Sequence, residues 1–110
     1  MYTSPKAPDH WKKKWNAIEH TTLDALLDDL GKQGVLQLLI EGGGEVIHSF
    51  LSQNLAQKVI IFYGFLALGE KGKTWLPGEW APTLQKIKKW ELEKHQAFED
   101  GICLEFKINT

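Results

Sequence analysis

At 110 residues and 12.5 kDa the chain fits one domain, and 43% hydrophobic with 25% charged residues is a globular composition that excludes intrinsic disorder. Thirteen basic against fourteen acidic side chains leave a net charge of −1, which excludes a broad electrostatic draw on nucleic acid. One cysteine, Cys103, excludes an internal disulfide, and neither a membrane-length apolar run nor a secretory apolar core is present, so a cytoplasmic protein with no membrane partner is expected.

The N-terminal residues through Thr3 read as a strand stump closed by Ser4-Pro5. Asp9 is the expected cap of a short helix through Trp15, with Pro8 just outside it, and residues 17–20 read as another short extended piece. Leu23, Leu26, Leu27 and Leu30 recur at i, i+3, i+4 and i+7, the apolar stripe of an amphipathic helix. Thr21 or Thr22 is its N-cap, and Gly31 and Gly34 are stop signals. Val35-Leu36-Gln37-Leu38-Leu39-Ile40 is nearly all apolar and predicts a strand covered on both faces. Gly42-Gly43-Gly44 follows, and then residues 45–53 place Val46, Ile47, Phe50 and Leu51 on one helical face. Val59-Ile60-Ile61-Phe62-Tyr63 predicts a second buried strand, which completes a parallel βαβ unit with a right-handed crossover. Residues 65–82 carry the glycines and prolines of a long irregular connection. Strands over residues 86–95 and 102–108, joined at Glu99-Asp100-Gly101, predict an antiparallel hairpin. The expected fold class is α/β, a single domain over residues 1–110 whose mixed sheet has a parallel βαβ core and a C-terminal antiparallel hairpin.

Chemistry concentrates at Glu41-Gly42-Gly43-Gly44. Glycines allow a sharp turn at the carboxyl end of a strand and leave no Cβ in a ligand's way. The free N–H groups of the following helix favour an anion such as phosphate. A tight loop that binds nothing is the plain alternative. Neither the dinucleotide fingerprint G-x-G-x-x-G nor a P-loop is present. Glu41 has two readings, a helix-capping acid or a group that orients a polar substrate and manages a proton. Thr3 and Ser4 offer hydroxyls that either meet a phosphate or close a turn. Lys12-Lys13-Lys14 between Trp11 and Trp15 mixes basic and aromatic residues, and a solvated helix face explains it better than nucleic-acid binding. His10, His20, His48 and His95 show no metal-ligand spacing, and Cys103 reads as an inert thiol.

The segment from Thr22 to Val35, followed by Leu38-Leu39-Ile40-Glu41-Gly42-Gly43-Gly44, resembles the reductase domain of the bifunctional riboflavin-biosynthesis deaminase/reductase. The resemblance continues through Ser49-Phe50-Leu51, Asn54-Leu55, the strand from Val59 to Tyr63, Leu66-Ala67-Leu68-Gly69 and Gly101-Ile102-Cys103-Leu104. It implies a dihydrofolate-reductase-like fold and NADPH-dependent reduction of 5-amino-6-(5-phosphoribosylamino)uracil, a pyrimidine whose ribosyl group becomes a ribityl chain. By the same resemblance Gly42, Gly43 and Gly44 cradle cofactor phosphates, Glu41 faces the substrate as the catalytic acid, and Thr3 and Ser4 lie near the cofactor. Gln57 and Lys58 stand where the family usually has an acidic pair, and Phe65 replaces a common proline. The likeness covers only the C-terminal half of the reductase domain, and the deaminase zinc signature is absent. The expectation is a reductase that is part of a longer enzyme or completes its sheet as a homo-oligomer, with a dimer as the simplest form. The alternative is a non-catalytic nucleotide-binding or assembly module. Lys6 and Lys12 to Lys14 are the basic candidates for reading a cofactor 2′-phosphate.

Overall fold

A computed structural model describes residues 2–3, 5–78 and 89–108. In chain order these form β1 (Tyr2–Thr3), α1 (Asp9–Trp15), β2 (Ile18–Glu19), α2 (Leu23–Lys32), α3 (Gly44–Ser52), β3 (Lys58–Gly64), β4 (Trp90–Ala97) and β5 (Gly101–Ile108). The chain divides into two units, residues 1–39 and 40–110.

In the first unit, β1 and β2 pair in parallel, with Tyr2 opposite Ile18 and Thr3 opposite Glu19. Pro8 is the N-cap of α1 and Asp9 its first residue, where an acid complements the helix dipole. Lys12 leaves α1 to bind inward, its Nζ 2.8 Å from Glu19 Oε1 and donating to the Pro5 carbonyl at 2.8 Å. α2 begins where Thr22 Oγ1 accepts the Ala25 N–H at 3.1 Å. It runs through Gly31 to Lys32, and beyond it Gly34, with φ of 85°, lets the Val35 N–H reach the Leu30 carbonyl at 3.0 Å. That closure satisfies a carbonyl the helix end would otherwise leave unpaired.

The second unit is built on an antiparallel sheet of order β3-β5-β4. Ile61 lies opposite Leu104, and Leu104 opposite His95, with an irregularity in β4 between Leu92 and Lys94. The β4–β5 hairpin forms as expected and closes with the Phe98 N–H donating to the Gly101 carbonyl at 2.7 Å. Gly101 is required here: a Cβ at this position would sit 2.8 Å from the Tyr63 carbonyl oxygen on β3. Among the described residues, Phe50 and Leu51 of α3 and Ile108 of β5 are the buried apolar ones.

One sequence expectation is corrected. Residues 35–40 form no strand, and the described three-stranded sheet is antiparallel throughout, so the parallel βαβ unit is not formed among the described residues. Parallel pairing is confined there to the two residues each of β1 and β2. The physical reason is that a strand exists only through a neighbour's hydrogen bonds, and none of the described strands pairs with this segment. Leu36 is 96% and Leu39 75% exposed, while Ile40 is half-buried. Residues 86–88 and the last part of the expected 65–82 connection lie outside the described residues, while residues 65–78 are irregular as expected.

Candidate functional site

The three glycines between residues 41 and 45 do three different things. Gly42 has φ of 137°, a conformation that side chains rarely tolerate. Gly43 is the N-cap of α3 at φ −69° and ψ 167°, ordinary extended backbone, and a Cβ there would meet nothing among the described residues within 4 Å. Gly44 opens the helix under close packing: a Cβ would stand 2.7 Å from Pro77 Cδ and 2.8 Å from the Trp75 carbonyl oxygen. Gly42 and Gly43 are exposed, whereas the face of Gly44 is covered by the loop over residues 75–78.

Among the described residues no side chain caps α3, whose N-cap is Gly43. The Val46 and Ile47 N–H groups both donate to the Gly43 carbonyl, at 3.1 and 3.3 Å. The N–H groups of Gly44 and Glu45 donate to no backbone carbonyl among the described residues. Such amides at a helix start, with the dipole behind them, suit an anionic oxygen.

Glu41 directly precedes this turn, is exposed, and makes no ion pair or hydrogen bond among the described residues. It does not cap α3, so the capping reading of this acid finds no support in the geometry. Thr3 lies in β1 of the other unit, and Ser4 lies outside the described residues. Lys12 is committed to Glu19 and Pro5, and Lys14 Nζ lies 5.3 Å from the centre of the Trp15 ring, so these cations are engaged within their own helix and its neighbours.

The other sequence candidates fall elsewhere. Cys103 is half-buried on β5, between Phe62 and Gln96 on the flanking strands. It contributes, with His95, Gln96 and Glu105, to an open hollow of about 530 Å³ over β4 and β5. No residue of the glycine turn lines that hollow. Among the described residues no cluster of His, Cys, Asp and Glu is arranged to hold a metal ion, and no helix is long and apolar enough to cross a membrane.

Sequence reasoning expected an irregular connection over residues 75–78 but not what it packs against. Thr74 Oγ1 accepts the Leu76 N–H at 3.3 Å, and the Trp75 ring meets Trp90 edge-on with centroids 6.4 Å apart. Trp90 in turn packs against Phe106 at 5.8 Å. Gly78, at φ 85°, faces His48, whose Nε2 is 3.4 Å from the position of a Cβ. The Pro77-Gly78 pair was the available turn signal, but nothing local indicates what the turn packs against.

Residues 1–104 match the family model of the RibD C-terminal domain. The chain is 35% identical over 92 residues to the 2,5-diamino-6-ribosylamino-4(3H)-pyrimidinone 5′-phosphate reductase of Archaeoglobus fulgidus, covering 83% of this chain and 40% of that protein. It is 33% identical over 72 residues to the riboflavin biosynthesis protein RibD of Chlamydia trachomatis, covering 64% of this chain and 19% of the relative. The chain thus spans well under half the length of these curated relatives. Among solved structures it is similar to RibD of Acinetobacter baumannii (TM-score 0.77, 21% identity, 84% of this chain and 26% of that one). It is also similar to a pyrimidine reductase-like protein of Corynebacterium diphtheriae (TM-score 0.73, 13% identity, 99% of this chain and 48% of that one). At these identities the structural likeness speaks for the fold, a mixed α/β architecture with an antiparallel sheet.

Proposed function

Because the chain belongs to the RibD C-terminal domain family, we propose that it forms the cofactor-holding part of an NADPH-dependent reductase of riboflavin biosynthesis. Its substrate would be a cytoplasmic pyrimidine bearing a phosphoribosylamino group, the class named for the Archaeoglobus relative. The observation that carries this reading is the uncapped start of α3, flanked by exposed Gly42 and Gly43 and preceded by exposed Glu41.

The residues present fit a dinucleotide's phosphates. The Gly44 and Glu45 amides have no described carbonyl partner, and no described residue fills the space beside Gly43. NADPH, when bound, supplies the hydride. Reduction places that hydride on the ribosyl C1′, breaks its bond to the ring oxygen, and requires a proton on the oxygen released. We assign Glu41 to deliver that proton, and the glycine turn to orient the donor and exclude water from one side. Thr3 and Ser4 stay in this reading on the resemblance alone. In the complete enzyme we assign residues 35–40 as a strand parallel to β3, whose edge away from β5 bears no described strand. The exposed Phe62 on β3 fits homo-oligomerisation, which light scattering of the purified chain would test.

Substituting Gly43 gives the direct test. Asp at an N-cap stabilises a helix, so Gly43→Asp raises stability by a few tenths of a kcal/mol, yet its carboxylate occupies the amides a phosphate would use. NADPH at a hundred times its Kd should stabilise the wild-type chain by about 2.7 kcal/mol and the variant not at all. Equal thermal shifts for both would remove the glycine turn from the cofactor site. In the assembled enzyme, Glu41→Gln should lower kcat far more than it changes NADPH affinity. A second reading, a nucleotide-binding or assembly module, is favoured by the 40% coverage of the Archaeoglobus reductase. NADPH binding without oxidation in the presence of substrate would select it.

A further inference from the structure

We propose that the loop over residues 75–78 is the side wall of the glycine-turn site, and that His48 is the positioning residue that holds it there. The inference rests on the cofactor reading above. Gly44 and His48 are four residues apart in α3 and so lie on one face of the helix. The loop crosses that face and touches it twice. At Gly44 the approach is of backbone to backbone, with the Trp75 carbonyl oxygen 2.8 Å from where a Cβ would stand. At the other contact, Gly78 packs against the His48 ring in a conformation open chiefly to glycine. Away from the helix, the loop is anchored to the sheet through Trp75 against Trp90 and Trp90 against Phe106.

The wall stops at Gly44, leaving Gly42 and Gly43 exposed beside it. The loop therefore shields one flank of the first-turn amides without sealing them. Shielding matters because an amide–phosphate contact strengthens as water is removed from around it. His48 touches the wall and has no assigned contact with the reacting atoms, so its effect falls on cofactor binding rather than on the chemical step.

The test compares His48→Ala with His48→Phe, which restores a flat ring against Gly78. Amide hydrogen exchange across residues 75–78 should speed up in His48→Ala and return toward wild type in His48→Phe, while exchange in β5 stays unchanged. NADPH affinity, measured by titration of the full chain, should fall about tenfold in His48→Ala, the scale of losing a preorganised wall, and recover in His48→Phe. In the assembled enzyme the KM for NADPH should rise with kcat nearly unchanged. If wild type and His48→Ala bind NADPH equally, the wall has no role in binding and this inference falls, while the cofactor reading stands. If the wild-type chain binds no NADPH, both fall. Faster exchange across β5 as well would show that His48 merely supports the unit, and would overturn the positioning role.

Discussion

Residues 35–40 and β5 carry similar apolar sequences and meet opposite fates. β5 is the central strand, hydrogen-bonded to β3 on one side and β4 on the other, and its residues are half-buried or buried except for Lys107. Residues 35–40 have no strand on either side among the described residues, and Leu36 is almost wholly in water. An apolar extended run is a demand for neighbours rather than a structure in itself, because its N–H and C=O groups must bond somewhere. β5 finds those neighbours within 50 residues of chain; residues 35–40 do not.

The contrast can be broken at either end. The largest effect belongs to Ile108→Ala, which removes a buried side chain from the end of β5 and should cost about 3 kcal/mol in chemical denaturation. Gly101→Val should follow, at about 2 kcal/mol, because its side chain collides with the Tyr63 backbone across the β3–β5 ladder. Thr22→Ala should cost about 1 kcal/mol by removing the cap of α2, an effect confined to the helix that leads toward residues 35–40. The smallest is Leu36→Asp, expected within about 0.5 kcal/mol of wild type. A loss above about 2 kcal/mol there would mean that the segment is packed as a strand after all, and the contrast with β5 would disappear.

Elements with local signals were legible from residues alone. The i, i+3, i+4, i+7 leucines and the Thr22 cap placed α2, and the Glu99-Asp100-Gly101 turn placed the hairpin. Gly31 misled as a stop signal because a glycine inside a helix costs only about 1 kcal/mol, which the leucine stripe outweighs. The expected strand over residues 35–40 does not form among the described residues, because pairing is not a local property. At the site, the sequence pointed to Glu41 and the glycines but treated the glycines alike. Their separate duties arise from a backbone angle at Gly42, open space at Gly43 and the distant Trp75 and Pro77 at Gly44. Only the first of these has any trace in the local pattern. The tie between His48 and Gly78 bridges 30 residues and leaves no periodicity to find.

Amide resonances followed by NMR during titration of the chain with NADPH bear most directly on the central claim, that the bare start of α3 receives a dinucleotide's phosphate oxygens. The Gly43, Gly44 and Glu45 signals should move furthest and saturate together, with inorganic pyrophosphate moving the same three. Saturable shifts elsewhere with these three unmoved, or no shifts at millimolar NADPH, would contradict it.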